Sequence, residues 1–246
     1  MNVLSNWLTE KKRKLHFTLI DPDKQPPAEA AKIARECMSY GTDAIMLGGS
    51  TAGREHVNET AAAIKAAVSL PVILFPGSSG GITKYADYIF FMSLLNSKRR
   101  KLLVEEQVEG SMLIKASGIK PISMGYIVVS TSQKPTTVER IADLDVIHEN
   151  DIEKLLKYAL AAEYLGMSCV YLEAGSGAEK PVPDEMIRCV RENLAIPIIV
   201  GGGIRDAKTA SAKLASGADA IVTGTLAEKD TLKVKEIIEA VKAHSF

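Results

Sequence analysis

The chain has 246 residues, of which 46% are apolar, and its 30 Lys and Arg residues equal its 30 Asp and Glu residues in number. This length suits one large α/β domain or two small ones, and the apolar content is enough for a full core, which excludes a disordered protein. A formal net charge of zero provides no field that would attract nucleic acid, so no nucleic-acid partner is expected. Peripheral contact with a membrane surface is compatible with this charge balance.

The sequence also predicts where the protein resides. It contains neither a signal peptide nor an apolar run long enough to span a membrane. Cys37, Cys169 and Cys189 are scattered and lack the spacing of a disulfide or metal framework, so we interpret them as buried thiols in a reducing compartment. We therefore expect a cytoplasmic protein. A homo-oligomer is also expected, in which a second subunit covers apolar helix faces.

Short apolar runs alternate with helical patterns along the chain. A lead helix is predicted over Val3–Lys12, followed by eight strands, nearly all with a helical segment after them. The predicted strands are His16–Ile20, Ala44–Leu47, Val72–Phe75, Tyr88–Met92, Pro121–Ser130, Cys169–Leu172, Ile198–Val200 and Ala220–Val222. Strands that are apolar on both faces are typical of a buried parallel sheet. Eight such units predict a (β/α)8 barrel over residues 1–246, with a doubly wound open sheet as the alternative.

An internal echo favours the barrel. G-T-D-A-I-M-L-G at 41–48 matches G-A-D-A-I-V-T-G at 217–224 at five of eight positions. Recurrent strand units suit a closed ring of repeated modules. The alternative is that a helix-capping glycine, a turn aspartate and an apolar strand recur for local reasons.

The spacing is irregular between the third and fourth predicted strands. About a dozen residues separate them, too few for a loop, a helix and a second loop, so this helix is predicted to be missing or reduced to a turn. The outer side of these two strands would then form an apolar groove, which suits an apolar tail attached to a diphosphate. The alternative is that the long helix predicted from Ser97, or a partner subunit, covers the gap.

Glycine-rich turns follow the seventh and eighth predicted strands. The segment at 198–203 reads I-I-V-G-G-G, and T-G-T at 223–225 follows the last strand. In (β/α)8 barrels these two loops commonly hold a phosphate, whose charge is met by backbone N–H groups. Y-L-E-A-G-S-G at 171–177 supplies a third wall, in which Glu173 is predicted to accept hydrogen bonds from substrate hydroxyls. A structural salt bridge is the alternative interpretation of Glu173.

Acidic residues follow the first predicted strand, across the barrel mouth from the glycine turns. Asp21 and Asp23 belong to D-P-D, and Ser50 follows the second strand. One carboxylate and one hydroxyl suit Mg2+, which keeps water ligands and takes further oxygens from a substrate phosphate. We therefore predict an Mg2+ site at Asp21 and Ser50, with a simple D-P-D turn as the alternative.

Together, these motifs resemble the geranylgeranylglyceryl phosphate synthases of archaea and their bacterial heptaprenyl relatives. The shared motifs are T-L-I-D-P-D-K at 18–24, G-T-D-A-I-M-L-G-G-S at 41–50, S-L-L-N-S at 93–97, Y-L-E-A-G-S-G at 171–177, G-G-G-I-R-D-A at 201–207 and G-T at 224–225. They span nearly the whole chain in the same order. The resemblance implies a barrel that lacks its third helix, in agreement with the spacing.

The resemblance also implies a prenyltransferase reaction and the residues that carry it. The C3 hydroxyl of sn-glycerol 1-phosphate would attack C1 of geranylgeranyl diphosphate, which forms an ether and releases pyrophosphate. Mg2+ at Asp21 and Ser50 would offset the charge of the leaving group, and Glu173 would accept or orient the hydroxyl proton. The residues implied to bind glycerol 1-phosphate are Tyr171, Leu172, Glu173, Ala174, Gly175, Ser176, Gly177, Gly202, Gly203, Gly224 and Thr225.

Two positions differ among the relatives. Many have Asn where this chain has Thr225, and the bacterial relatives have Lys where this chain has Leu19, which favours the archaeal geranylgeranyl branch. The alternatives are a prenylglyceryl phosphate synthase of another chain length and a phosphosugar isomerase or lyase on a similar barrel. A barrel that binds a phosphorylated ligand without turnover is the third.

Overall fold

The computed structural model describes residues 3–49 and 53–244. The strands are β1 (Leu15–Ile20), β2 (Ala44–Leu47), β3 (Val72–Leu74), β4 (Tyr88–Leu94), β5 (Lys120–Val128), β6 (Cys169–Glu173), β7 (Ile198–Gly201) and β8 (Ala220–Thr223). The helices are α1 (Val3–Lys11), α2 (Pro27–Tyr40), α3 (Arg54–Ala67), α4 (Glu106–Ser117), α5 (Thr137–Ala142), α6 (Ile152–Tyr164), α7 (Asp184–Asn193), α8 (Ala207–Ala215) and α9 (Thr231–Lys242). None of the described helices is long and apolar enough to cross a membrane. The cysteines are free, and Cys189, unlike the other two, is only half-buried.

The strands close into one parallel barrel in chain order, with β8 paired to β1. Successive side chains of a strand point to opposite faces. Phe17, Met46 and Ile73 therefore fill the barrel interior, whereas Ile45 and Leu74 pack outward against the helices. Because both layers are apolar, each strand is buried on both faces. The (β/α)8 prediction is confirmed, and the open-sheet alternative is wrong.

The helix between β3 and β4 is missing from the described residues, as the spacing predicted. A 3-10 turn at Ser79–Gly81 takes its place. α4 covers part of the opening from outside, because its Ile114 packs with Ile82 and Ile89. The alternative in which the helix after Ser97 covers the gap is therefore correct in part, but an apolar groove remains beneath α4.

α4 begins later than predicted, at Glu106 rather than Ser97. The Ser97 hydroxyl donates to the carbonyl oxygen of Ala142 at 2.6 Å, and a π-helical turn at Lys101–Glu105 precedes α4. The outer face of α4 exposes Val108 and Met112, which are 67% and 75% accessible. The expected homo-oligomer and membrane contact would use faces of this kind, and both stay predictions.

Three aspartates fix the amino-terminal ends of the strands. Each precedes one strand, and its carboxylate accepts a hydrogen bond from a backbone N–H of the preceding strand. The pairs are Asp43 with His16 N, Asp87 with Val72 N and Asp219 with Ile198 N, each at 2.9 Å. The echo between residues 41–48 and 217–224 therefore has a local cause, since both segments supply the same hydrogen bond.

Asp43 is nearly fully buried and is paired with two cationic side chains. Its side chain is 1% exposed, the Arg13 guanidinium donates to both carboxylate oxygens at 3.0 and 2.8 Å, and Lys11 Nζ lies 3.1 Å away. Burial on its own would raise the pKa of Asp43, but the hydrogen bonds from Arg13 and from His16 N outweigh it, and the pKa is lowered. The folded protein therefore holds Asp43 as a paired carboxylate.

Replacing Asp43 should test this arrangement. Asp43→Ala leaves the Arg13 guanidinium and the His16 N–H without their acceptor, so we expect it to lower the free energy of unfolding by about 3–5 kcal/mol. Chemical denaturation at neutral pH measures this loss. Glu29→Ala, which breaks the exposed Lys32–Glu29 pair, is the control and should change stability by about 0.5 kcal/mol or less.

The pH dependence follows from the lowered pKa of Asp43. A carboxylate with a lowered folded pKa contributes stability above its unfolded pKa of about 4, and loses that contribution as the pH falls through the folded value. The difference in the free energy of unfolding between wild type and Asp43→Ala should therefore become smaller below about pH 4. If Asp43→Ala and Glu29→Ala lowered the free energy of unfolding equally at neutral pH, the stabilising role assigned to Asp43 would be contradicted.

Candidate active site

One cavity of about 560 Å³ opens at the carboxyl ends of the strands. It is lined by the loops after β1, β6, β7 and β8, and continues past β3 and β4 to the underside of α4. This end of a (β/α)8 barrel is where active sites lie, because the loops vary while the barrel holds them in place. The predicted phosphate loops and Asp21 therefore face a single space.

The loops after β6 and β8 meet at the polar end of the cavity. Ser176 Oγ lies 3.2 Å from Thr225 Oγ1. Gly177, Gly202 and Gly203 have φ values of 75°, 80° and 71°, a left-handed conformation that favours glycine. These predicted residues are thus brought together on one wall, with their backbones exposed to the cavity.

Backbone N–H groups at this wall are available to an anion. No described residue accepts a hydrogen bond from the N–H of Gly177, Gly203 or Thr225. The N-terminus of α8, in contrast, is capped by its own Asp206 carboxylate, which accepts from Thr209 N at 2.7 Å. The capacity to bind an anion therefore lies in the glycine loops rather than in the first turn of α8.

Arg205 is a residue of this wall that the sequence did not single out. It lines the cavity, and its guanidinium donates to the carbonyl oxygens of Ala178 and Glu179, the latter at 2.9 Å. These bonds tie the loop after β6 to the loop after β7. Its position inside the G-G-G-I-R-D motif was the available signal.

Glu173 is a buried carboxylate that pairs with no cation among the described residues. It ends β6 with its side chain in the barrel interior, and the whole residue is 6% exposed. Burial raises its pKa, and hydrogen bonds from Gly175 N at 2.6 Å and from the Tyr171 hydroxyl offset part of this rise. Since no described cation pairs with Glu173, the salt-bridge alternative is wrong, and the side chain suits proton transfer.

Aromatic side chains form the floor beneath Glu173. The ring of Tyr171 lies 5.5 Å from Phe75 and 5.4 Å from Tyr126, measured between centroids. Burial, followed by the nearby charge of Glu173, raises the pKa of both tyrosines, so both remain neutral phenols. The Tyr171 hydroxyl therefore donates a hydrogen bond to Glu173 and carries no charge of its own.

Three of the residues implied to bind glycerol 1-phosphate do not line the cavity. The side chains of Leu172 and Ala174 point outward into the packing beneath the helices. The Ala174 N–H bonds the carbonyl oxygen of Gly201, and the Gly175 N–H is occupied by Glu173. The side chains of Leu172 and Ala174 therefore do not reach the cavity, because alternation along β6 turns them away, and any backbone contact with the ligand stays a prediction. Contact of Gly175 with the ligand stays a prediction.

Glycines make room for functional side chains on the neighbouring strand. A Cβ atom at Gly202 would overlap Glu173 Oε1, one at Gly201 would overlap the Tyr171 hydroxyl, and one at Gly49 would overlap Asp21 Oδ1. Each functional side chain leans over the end of the next strand, where only glycine leaves space. Gly224 also lines the cavity, where an added Cβ would meet Leu19 at 3.4 Å.

Asp21 lies at the opposite side of the cavity mouth. Its Oδ1 accepts a hydrogen bond from Asp23 N at 3.1 Å, and its side chain is 24% exposed. It lies beside Gly49, and Ser50, the second predicted metal ligand, lies outside the described residues. The described residues contain no cluster of three or more acidic, His or Cys side chains that could hold a metal. One carboxylate facing a roomy cavity still fits Mg2+, which takes most of its ligands from water and phosphate.

Lys24 and Glu228 form an ion pair on this side of the cavity. Lys24 belongs to the motif at 18–24, but no motif predicted its partner Glu228. Lys24 Nζ lies 3.1 Å from Glu228 Oε2 and 3.8 Å from Asp21 Oδ2. Glu228 Oε1 accepts a hydrogen bond from Asp21 N at 3.3 Å. Because Glu228 follows β8 and Asp21 follows β1, only the closure of the barrel brings them together.

The third region of the cavity is an apolar groove. Phe90 and Met92 face the barrel interior, whereas Ile89 and Phe91 face outward, so the groove passes through the opening left by the missing helix. Gly110 lines it from α4, where glycine costs about 1 kcal/mol relative to alanine. A Cβ atom there would lie 2.8 Å from Ile82 Cδ1, so the absence of a side chain lets α4 pack directly against Ile82 at the groove.

Fold and cavity place the chain among the (β/α)8 barrel proteins whose site lies at the carboxyl ends of the strands. The model of the PcrB family matches residues 5–243, and the chain belongs to the PcrB family. It is 51% identical over 220 residues to geranylgeranylglyceryl phosphate synthase of Pyrococcus horikoshii, covering 89% of this chain and 85% of the relative. It is 50% identical over 235 residues to the enzyme of that name from Methanosarcina acetivorans, covering 94% of both chains.

A solved structure has the same architecture. The (S)-3-O-geranylgeranylglyceryl phosphate synthase from Thermoplasma acidophilum, in complex with its substrate sn-glycerol-1-phosphate, superposes with a TM-score of 0.93. It is 44% identical to this chain, and the match covers 99% of both chains.

Neutralising Glu173 should stabilise the fold. Because the pKa of Glu173 is raised in the folded protein, its favourable contribution is complete below the unfolded pKa of about 4.3 and is lost as the pH rises through the folded value. Glu173→Gln removes this loss, so we expect its melting temperature at pH 8 to exceed that of wild type by about 2–4 °C.

Thermal unfolding of both proteins between pH 4 and pH 8 measures the effect. The gain should shrink as the pH falls towards about 4, where wild-type Glu173 is protonated. Glu29→Gln, at an exposed position, serves as the control and should leave the melting temperature unchanged. A Glu173→Gln variant that is less stable than wild type at every pH would refute the assignment.

Proposed function

We propose that this chain is a phosphoglycerol prenyltransferase. It would join the C3 hydroxyl of sn-glycerol 1-phosphate to C1 of geranylgeranyl diphosphate, forming 3-O-geranylgeranylglyceryl 1-phosphate and pyrophosphate. One observation carries the proposal: a single cavity joins a wall of glycine N–H groups to an apolar groove, with Glu173 and Asp21 between them. The names of the relatives from Pyrococcus and Methanosarcina support the same reaction.

The glycine wall is the site proposed for glycerol 1-phosphate. Its phosphate would accept hydrogen bonds from the N–H groups of Gly177, Gly203 and Thr225, and from the hydroxyls of Ser176 and Thr225. The ligand of the Thermoplasma acidophilum structure supports this choice of acceptor substrate. A phosphate held here leaves the glycerol hydroxyls facing Glu173.

The apolar groove is the site proposed for the prenyl chain. Its walls at β4 and α4 offer aliphatic and aromatic side chains, and burial of isoprenoid methylene and methyl groups against them is favourable. A phosphosugar isomerase or lyase would have no use for such a groove. The groove therefore distinguishes the prenyltransferase from the alternatives on a similar barrel.

Asp21 and Ser50 are the residues proposed to hold Mg2+ beside the diphosphate. When bound, the ion would act as a Lewis acid that offsets the charge developing on the leaving pyrophosphate. Asp21 supplies one carboxylate oxygen towards the cavity, and its turn is fixed by the bond from Asp23 N. The remaining ligands would come from water and from the diphosphate itself.

Glu173 is proposed to act as the general base. The C3 oxygen forms a bond to C1 of the prenyl chain while the bond from C1 to the diphosphate oxygen breaks, and the hydroxyl proton passes to Glu173. Its raised pKa makes it a better proton acceptor than an exposed carboxylate. Tyr171 and Gly175 N orient it by donating hydrogen bonds, and the aromatic floor excludes water that would hydrolyse the diphosphate.

An assay with labelled substrate tests the proposed reaction. The full chain with Mg2+, sn-glycerol 1-phosphate and labelled geranylgeranyl diphosphate should give an organic-extractable phosphoether, and a chelator should stop its formation. Asp21→Asn should lower the rate by about 100-fold or more, because the metal loses its carboxylate. Glu173→Gln should lower the rate by a similar factor, because the general base is missing.

Asp23→Asn provides the matched control, since it alters an exposed carboxylate in the same turn, and it should keep most of the activity. If the wild-type chain formed the same amount of product with and without Mg2+, the metal assignment would be refuted. Failure of wild type to form any prenyl ether, while a soluble sugar phosphate is turned over, would refute the prenyltransferase itself.

The preferred length of the prenyl chain should depend on the residue at position 110. Gly110→Leu adds a side chain against Ile82 in the lining of the groove, so we expect kcat/KM for geranylgeranyl diphosphate to fall about tenfold relative to that for farnesyl diphosphate. Leucine favours the helix more than glycine, so α4 should stay folded. Competition between the two diphosphates measures the ratio.

Ser111→Leu is the control, because it adds the same side chain on the exposed face of α4, and it should leave the ratio unchanged. An unchanged ratio in Gly110→Leu would show that the prenyl chain does not pass beneath α4.

A further inference from the structure

Lys24 and Glu228 form an ion pair at the rim of the cavity, beside Asp21. The Glu228 side chain is only 8% exposed, and both of its oxygens are engaged: Oε2 with Lys24 Nζ at 3.1 Å and Oε1 with Asp21 N at 3.3 Å. A carboxylate so nearly buried is unfavourable unless its oxygens are satisfied. The turn after β1 therefore satisfies both oxygens of the Glu228 carboxylate. In return, the carboxylate fixes the position of the Lys24 ammonium.

The turn that carries Asp21 and Lys24 has other means of support. Asp21 Oδ1 accepts from Asp23 N at 3.1 Å, Gln25 Nε2 donates to the Asp21 carbonyl oxygen at 2.6 Å, and Pro22 restricts the backbone. These bonds hold the backbone of the turn in one conformation. Glu228 is thus not required to fold it, and what it adds is the direction of the Lys24 side chain.

The charges indicate which ligand this pair would serve. Asp21 and Glu228 place two carboxylates near the proposed diphosphate, which would repel it unless cations lie between them. Lys24 lines the cavity 3.8 Å from Asp21 Oδ2, so its ammonium lies at the point where a diphosphate bound beside Asp21 would present further oxygens. An ammonium there would offset charge that a metal at Asp21 leaves unmet.

We propose that Glu228 is a positioning residue that holds the Lys24 ammonium against the diphosphate of the prenyl substrate. This inference rests on the proposed function. Lys24 contacts the leaving group and stabilises the negative charge that grows as the bond from C1 to the diphosphate oxygen breaks. Glu228 acts through Lys24 and through the Asp21 backbone, so the loop after β8 controls the leaving group as well as the proposed phosphate pocket.

Binding of inorganic pyrophosphate tests this pair without turnover. Calorimetric titration of the full chain with pyrophosphate and Mg2+ should show an affinity loss of about tenfold or more for Lys24→Met, since one charge-assisted contact is removed. Lys24→Arg should recover part of the affinity. The affinity for sn-glycerol 1-phosphate should stay within about twofold of wild type in both variants, because that site lies across the cavity.

The double variant separates positioning from a structural role. In Lys24→Met the buried Glu228 carboxylate faces the pyrophosphate unpaired, so the variant that combines Lys24→Met with Glu228→Gln should bind pyrophosphate no more weakly than Lys24→Met alone. Lys32→Met, which breaks an exposed pair on α2, is the control and should bind as wild type does. Thermal unfolding of each variant confirms that it is folded.

Wild-type affinity for pyrophosphate in a folded Lys24→Met variant would overturn the inference. A double variant that binds pyrophosphate clearly more weakly than Lys24→Met alone would overturn it as well. Either result would leave the proposed function intact. The proposed function fails separately, if the wild-type chain makes no prenyl ether in the labelled-substrate assay.

Discussion

The site depends on the close approach of functional side chains to the backbone of the neighbouring strand. Asp21, Tyr171 and Glu173 each lean over the end of the next strand in the barrel, and each meets a glycine there. In a closed parallel barrel the strand ends are only about 5 Å apart, so a side chain larger than hydrogen at these positions would push the carboxylate or phenol away. The loop after β7 thus contains both kinds of glycine, since Gly203 leaves its N–H open to a phosphate and the adjacent Gly202 makes room for Glu173.

The second constraint is the missing helix between β3 and β4. A barrel with a complete ring of helices keeps its interior apart from the outside of its wall. Here the 3-10 turn at Ser79–Gly81 is too short to cover β4, and α4 covers it only partly. The cavity therefore continues from the polar mouth into an apolar groove, and Gly110 lets α4 pack closely against Ile82 where it covers that groove.

Much of this could be read from the sequence, and what was missed has physical reasons. Short apolar strands and the spacing after Phe75 are local signals, and they predicted both the barrel and its gap. Leu172 and Ala174 were included in the site because a motif names consecutive residues, whereas alternation along β6 turns them outward. Glu228 was missed because its partner Lys24 is remote in sequence, and only the pairing of β8 with β1 brings the two loops together.

Electrostatics divides the barrel into two ends with opposite tasks. At the amino-terminal end, the carboxylate of Asp43 is paired with Arg13 and Lys11, and its pKa is lowered, so the ionised form holds strands together. At the carboxyl end, no cation in the described part of the chain pairs with Glu173, and burial raises its pKa, so ionisation costs stability. A group that is unfavourable for folding persists when its chemistry requires it. The contrast between these two buried carboxylates supports the proposal that Glu173, at the carboxyl end, is the proton acceptor.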